Sequence, residues 1–208
     1  VHGGAVPTEA LRLDAPFEVR ASENREGRER VGRAAAGRVR ENEVIALDTG
    51  VTAVALASAL TGGRGVSVIT ASVPVLEILL EKRRSGEFLG RVYFLGGLLN
   101  EQTQAMSGSP TMELLARFSI DRAFVAATAV DQEGLYMSDA DSGSLTRAMI
   151  LRARECILLS GSEKLGKKSL YRCASLGELS ELITDGRHPC PAPLQRSLKE
   201  SGVRLTIV

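Results

Sequence analysis

Short apolar runs alternate along this chain with longer stretches that have helical spacing. Apolar runs of strand character cover residues 44–47, 65–70, 91–95, 121–128, 156–160, 182–185 and 203–208. Helical stretches cover residues 25–41, 54–60, 75–84, 110–118, 144–154 and 194–201, and residues 134–137 form an excursion after the fourth strand. Strands that alternate with helices through short loops are typical of a parallel sheet covered on both faces. The pattern therefore predicts an α/β fold with a mostly parallel sheet flanked by helices.

Three successive strands of this pattern end in small or polar residues. These ends are Asp48-Thr49-Gly50, Thr70-Ala71-Ser72 and Gly96-Gly97. In open parallel sheets, ligands bind beyond the carboxyl ends of the strands. Any single strand–turn–helix connection would look much the same without a ligand. Three such ends in a row favour a binding site.

The first of these turns, Asp48 to Thr52, leads directly into a helix. The N–H groups at a helix N-terminus suit phosphate or another anion, and Thr52 can add its hydroxyl. Asp48 would repel a phosphate, so we assign it to a sugar hydroxyl or to fixing the loop. Lys164, in the loop 161–166, is a candidate counter-charge, although most lysines are simply solvated.

Composition limits the alternatives. The 208 residues carry a formal net charge of +1, so no domain-wide basic field indicates nucleic-acid binding. No uncharged apolar run reaches about 18 residues, the length expected of a membrane helix. Three scattered cysteines fit a reducing cytoplasm, and the two histidines lack the spacing of metal ligands. We expect a cytoplasmic protein without a metal or cofactor.

Taken in order, these residues resemble the effector-binding domain of DeoR-type bacterial transcriptional regulators. The segments that carry the resemblance are His2-Gly3-Gly4-Ala5, Arg20, Asn24, Asp48-Thr49-Gly50-Val51-Thr52, Thr70-Ala71-Ser72, Leu95-Gly96-Gly97, Gly108, Asp121, Arg147-Ala148-Met149, Ser162-Glu163-Lys164 and Ile183-Thr184-Asp185. The resemblance implies a fold like that of ribose-5-phosphate isomerase. It also implies a homo-oligomer, a dimer or tetramer, that binds a phosphorylated sugar or similar metabolite and thereby modulates operator binding.

The same resemblance implies a domain division and a set of site residues. Residues 1–23 would be a linker that follows a winged helix-turn-helix absent from this sequence, and residues 24–208 would be the effector-binding domain. Operator DNA would be contacted only through that upstream domain. The implied effector-binding residues are Asp48, Thr49, Gly50, Val51, Thr52, Thr70, Ala71, Ser72, Gly96, Gly97 and Lys164.

Four positions depart from the family pattern. The family usually has Thr at Val51, Asn at Ala71, Asp at Gly161 and a Glu at the position of Ser142. These departures predict that the pocket accepts a different metabolite or binds weakly. Two alternatives to an effector sensor stay open: a sugar-phosphate isomerase, or an oligomerisation module with a degenerate pocket. Isomerisation needs a general base, usually a carboxylate. The strand segment 124–129 has none, although Asp139 and Asp141 lie nearby in sequence.

Overall fold

The computed structural model describes residues 17–208, and predictions for residues 1–16 lie outside this range. The strands are β1 (Val44–Leu47), β2 (Ser67–Thr70), β3 (Arg91–Phe94), β4 (Leu98–Asn100), β5 (Ala105–Ser107), β6 (Ile120–Ala126), β7 (Ala129–Asp131), β8 (Gly134–Met137), β9 (Ala153–Ser160), β10 (Tyr171–Ala174), β11 (Glu181–Thr184) and β12 (Arg204–Ile207). The helices are α1 (Phe17–Ser22), α2 (Arg25–Ala36), α3 (Val51–Ala59), α4 (Val73–Ser85), α5 (Ser109–Leu115), α6 (Ala140–Arg152) and α7 (Ala192–Glu200).

Seven strands form one sheet in the order β12-β11-β9-β6-β1-β2-β3. Every neighbouring pair in this sheet is parallel. The central strands are mostly apolar and mostly buried, as expected for a sheet covered by helices on both sides. The sheet confirms the predicted α/β class.

Two hydrophobic cores flank the large sheet. On one face, buried residues of α2, α3 and α4, such as Val31, Leu56 and Leu79, pack against the strands. On the other face, residues of α6 and α7, such as Met149 and Leu194, do the same. The two cores leave the strand ends at the rim of the sheet, where the loops that carry the predicted site lie.

Two smaller sheets were not predicted. Strands β7, β8 and β10 form an antiparallel sheet that includes the expected excursion at residues 134–137, and β4 and β5 form a hairpin. The strands β4, β5 and β7 have three residues each. Segments this short give too little alternation to be recognised from sequence.

Several predicted boundaries were wrong. Residues 17–22, expected to be irregular, form α1; the Pro and Gly residues that suggested a linker all precede Phe17. Helix α2 ends at Ala36 rather than at residue 41, because the N–H groups of Arg38 and Val39 bond three residues back, to the carbonyls of Ala35 and Ala36, and so tighten the last turn. Helix α3 begins three residues earlier than expected, at Val51.

Candidate functional site

The carboxyl ends of β1 and β6 border the point at which the strand order reverses. From β1 the chain builds outward through β2 to β3, and β6 then returns to the other side of β1. Ligands of open α/β sheets bind in the crevice at such a point. Asp48, directly after β1, donates its N–H to the carbonyl of Phe124 on β6 at 3.0 Å. The two strand ends are therefore joined at this crevice.

The carboxylate of Asp48 points into the protein and holds the turn together. It is fully buried and accepts bonds from the N–H of Thr49 (2.8 Å), the N–H of Ala126 (3.1 Å) and the hydroxyl of Thr146 (2.8 Å). Burial raises its pKa to about 6, and the three hydrogen bonds oppose that shift. Asp48 was predicted either to bind a sugar hydroxyl or to fix the loop, and these contacts favour the second role.

The turn itself places backbone N–H groups at the start of α3. Gly50 precedes the helix at φ +102°, and no side chain caps the helix. The N–H of Val54 bonds to the carbonyl of Gly50 at 3.3 Å. The N–H groups of residues 51–53 come before that bond, as the orphan donors of a helix N-terminus do. This is the arrangement that the sequence predicted for an anion.

Two cationic side chains approach these strand ends. A Cβ built on Gly50 would lie 3.8 Å from Nη1 of Arg20 on α1. The ammonium of Lys164 donates to the carbonyl of Ala127, directly after β6, at 2.9 Å. Lys164 was predicted to lie in this region. Arg20 belongs only to the segments that resemble the family, because no local pattern links residue 20 to residue 50.

The second strand end, Thr70-Ala71-Ser72, is buried and internally bonded. The Thr70 hydroxyl accepts from the N–H of Ser72 at 3.1 Å. The Ser72 hydroxyl accepts from the N–H of Val75 at 3.5 Å and so caps α4. Ala71 belongs to the core. Both side chains are fully buried, and no contact in the structure tests a ligand role, so the prediction for Thr70 and Ser72 stays a prediction.

The third strand end, Gly96-Gly97, follows the edge strand β3. It lies two strands from β1, or roughly 10 Å by strand spacing. Gly97 has φ +153°, and a Cβ there would overlap the side chain of Thr111 and the carbonyl of Ser107. Close packing against the start of α5 therefore explains Gly97. A Cβ on Gly96 would meet no atom within 4 Å.

The acidic residues proposed as a general base are not at the end of β6. Asp139 caps α6 by accepting from the N–H of Ser142 at 2.8 Å. Asp141 is exposed and lines a cleft of about 220 Å³ between the starts of α5 and α6.

Two of the positions that depart from the family pattern can also be placed. Ala71 belongs to the hydrophobic core, and Gly161 precedes the short helical turn that carries Lys164.

A wider cleft of about 490 Å³ lies at the end of β11, beside the start of α2. Its lining includes Asn24, Arg30 and Asp185, none of which was among the predicted site residues. Neither this cleft nor the smaller one is lined by the turn at residues 48–52. The predicted anion site at this turn therefore lies outside both clefts.

Asp185 ties three loops together beside this cleft. It accepts from the side-chain amide of Asn24, from the N–H of Ser162 at 3.2 Å and from the N–H of Arg187 at 3.1 Å. Burial opposes ionisation of this carboxyl, but hydrogen bonds from Ser162, Arg187 and Asn24 outweigh it and hold its pKa below the usual range. The structure thus links the start of α2 to the loop that carries Lys164.

Within residues 17–208, no group of three or more His, Cys, Asp or Glu side chains is arranged to hold a metal ion. No helix in that range is both long enough and apolar enough to cross a membrane.

Solved structures with similar folds include an enzyme and a regulator. Ribose 5-phosphate isomerase A of Methanocaldococcus jannaschii has a TM-score of 0.49 and 18% identity, covering 69% of this chain and 55% of that chain. A probable sor operon regulator from Shigella flexneri has a TM-score of 0.47 and 14% identity, covering 69% of this chain and 79% of that chain. The chain thus spans only about half the length of the isomerase.

Sequence comparisons find transcriptional regulators. The HTH-type transcriptional repressor GlcR of Bacillus subtilis is 29% identical over 184 residues, covering 88% of this chain and 69% of the repressor. The glycerol-3-phosphate regulon repressor of Escherichia coli is 24% identical over 208 residues, covering 99% of this chain and 79% of that protein. A family model described as the DeoR C terminal sensor domain matches residues 23–186. The chain therefore belongs to the DeoR family and contains its C-terminal sensor domain.

Proposed function

We propose that this sensor domain binds a phosphorylated sugar or a related anionic metabolite at the turn between β1 and α3. Binding then changes the affinity of the full-length regulator for its operator. The observation that carries the proposal is the uncapped start of α3 at Gly50, beside the guanidinium of Arg20. Backbone donors and a nearby cation are what a phosphate group requires.

The orientation of Asp48 supports an anionic ligand. Its carboxylate is engaged by Thr49, Ala126 and Thr146 within the protein, so its bonding is directed inward and away from a ligand. The amine of Lys164 lies at the end of the neighbouring strand. The residues around the turn therefore present donors and positive charge. The name of one relative, the glycerol-3-phosphate regulon repressor, includes a phosphorylated metabolite, which fits this chemistry.

The alternative of a sugar-phosphate isomerase has less support. An isomerase base must reach a C–H bond next to a carbonyl. The end of β6 offers Ala126 and Ala127 there, and Asp139 is engaged as a helix cap. We propose that the domain is a non-catalytic sensor, and that it acts in the cytoplasm, where operator DNA lies. Operator contacts would come from the DNA-binding part of the full-length regulator.

A paired ligand screen tests this proposal. Thermal unfolding of the chain is measured with a panel of phosphorylated sugars and polyols, and with each matching unphosphorylated compound. A phosphorylated ligand at about 100 times its dissociation constant should add roughly 2.7 kcal/mol of stability, and its unphosphorylated partner far less. Failure of every phosphorylated compound to stabilise the chain would favour the degenerate oligomerisation module.

A turnover assay separates sensor from enzyme. Each compound that binds is incubated with the protein and analysed for aldose–ketose conversion. We expect binding without conversion. Conversion that disappears on Asp141→Asn substitution would establish the isomerase alternative instead.

A further inference from the structure

Helix α1 lies at the carboxyl end of the sheet without contributing to either core. None of its six residues is buried. The N–H of Phe17 donates to the carbonyl of Gln102 at 3.3 Å, and the side chain of Gln104 donates to Glu18 at 2.6 Å. A helix this short has little stability of its own in water. The position of α1 therefore depends on surface contacts, which a ligand can readily strengthen.

One side chain of α1 reaches the proposed anion turn. Arg20 is half-buried, and its Nη1 lies 3.8 Å from the Cβ position of Gly50. Gly50 itself is buried although it lies at the rim of the sheet. A planar guanidinium can bind two phosphate oxygens at once, which a lysine ammonium cannot do in the same geometry. Arg20 thus covers the turn and has the chemistry to bind an anion placed there.

The C-terminal end of α1 is hydrogen-bonded to the rest of the domain. Arg28 on α2 donates to the carbonyl of Ala21 at 2.6 Å and to the carbonyl of Glu23. Asn24, in the corner between α1 and α2, bonds to the buried carboxylate of Asp185. The corner is therefore anchored. A ligand that engages Arg20 would fix the orientation of α1 relative to this corner.

We propose that α1 transmits the occupancy of the site: Arg20 pairs with the anion bound at the Gly50 turn, and this contact fixes the orientation of α1. The inference rests on the proposed function, because it assumes that an anion binds at this turn. It adds a ligand-binding residue, Arg20, and a helix, α1, whose position depends on the bound anion.

Hydrogen exchange with inorganic phosphate tests both steps. Exchange is followed in peptides covering residues 17–24 and 48–54, with and without phosphate at constant ionic strength. The variants are Arg20→Gln, Arg20→Lys and, as a matched control, Arg25→Gln, which removes a highly exposed arginine from the neighbouring helix. Phosphate should slow exchange in both peptides of the unmodified chain and of Arg25→Gln.

The Arg20 variants should separate binding from transmission. Arg20→Gln should weaken phosphate binding by roughly tenfold or more, the range for a hydrogen bond to a charged group. In this variant, saturating phosphate should slow exchange in residues 48–54 but not in residues 17–24. Arg20→Lys should restore part of the affinity, because it keeps the charge. Circular dichroism verifies that each variant is folded.

The possible failures are distinct. In one outcome, phosphate protects residues 48–54 in every variant, and it protects residues 17–24 as much in Arg20→Gln as in the unmodified chain. This outcome would overturn the inference about α1 but leave the proposed site standing. Protection of residues 48–54 without any protection of residues 17–24 in the unmodified chain would do the same. If phosphate protects neither peptide in the unmodified chain, the proposed function fails, and this inference fails with it.

Discussion

The hydroxyl of Thr146 on α6 donates a hydrogen bond of 2.8 Å to the buried carboxylate of Asp48 at the end of β1. Both side chains are fully buried.

A hydrogen bond to a charged carboxylate is stronger than one to a protonated carboxyl, so the strength of this bond depends on pH. Asp48 has a pKa of about 6 in the folded chain, above its ordinary value of 3.8. Between these two values the folded state binds more protons than the unfolded state, so this group lowers the free energy of unfolding as pH rises.

Thr146→Val should therefore destabilise the protein more at pH 8 than at pH 5. At pH 8 the charged carboxylate loses a donor, which costs about 1.5–3 kcal/mol; at pH 5 Asp48 is mostly protonated and the cost falls to about 1 kcal/mol. Urea unfolding at the two pH values measures the difference. Thr111→Val is the control, because the hydroxyl of buried Thr111 bonds to the neutral carbonyls of Gly96 and Ser107. Equal costs of Thr146→Val at both pH values would contradict the pKa assignment.

Substitution of Gly50 should affect both stability and binding. Its φ of +102° and ψ of 173° place it in a region that only glycine readily adopts, so Gly50→Ala should cost about 1–3 kcal/mol. Gly50→Val should also abolish binding of a phosphorylated ligand, because its side chain fills the space that the anion needs. Urea unfolding and calorimetry measure the two effects. Gly177→Ala is the control, since Gly177 is exposed and a Cβ there meets no atom within 4 Å. Unchanged affinity in Gly50→Val would place the site elsewhere.

Removal of the Lys164 ammonium should weaken the ligand complex. Lys164→Ala should lower affinity for a phosphorylated effector by about 1.5–3 kcal/mol, the range for hydrogen bonds to charged groups. Lys167→Ala, three residues further along and exposed, should leave affinity unchanged. Calorimetry with one effector on both variants gives the comparison. Equal losses in the two variants would indicate a general charge effect rather than a contact from Lys164.

The domain should form a homo-oligomer, as the family resemblance implies. The edge strand β12 is the expected contact, and the side chain of Ile207 on it is 59% exposed. Ile207→Lys should shift the population toward monomer. The matched control is Leu170→Lys, because Leu170 is 76% exposed but lies in a loop. Sedimentation at tens of micromolar, a rough working range for weak association, distinguishes the states. A monomeric unmodified chain would refute the prediction.

The alternation of the large sheet's strands with the helices that cover them, and the small-residue strand ends, are local properties, and sequence alone determined them. The apolar run before Asp48 and the glycine after it predicted a strand, a turn and the start of a helix, and β1 and α3 confirm that order. The family followed in the same way from many short motifs in a fixed order, and the DeoR sensor model that matches residues 23–186 confirms it.

The direction of each site side chain was decided only by the tertiary structure. Asp48 turns inward because Thr146, 98 residues away, supplies a buried donor. Arg20 reaches Gly50, and Asn24 reaches Asp185, through contacts between segments that no sequence window contains together. Hydrophobic periodicity reports which face of one segment is buried. Which polar groups then meet at the strand ends depends on strand order and helix packing, and these are set by contacts across the whole chain.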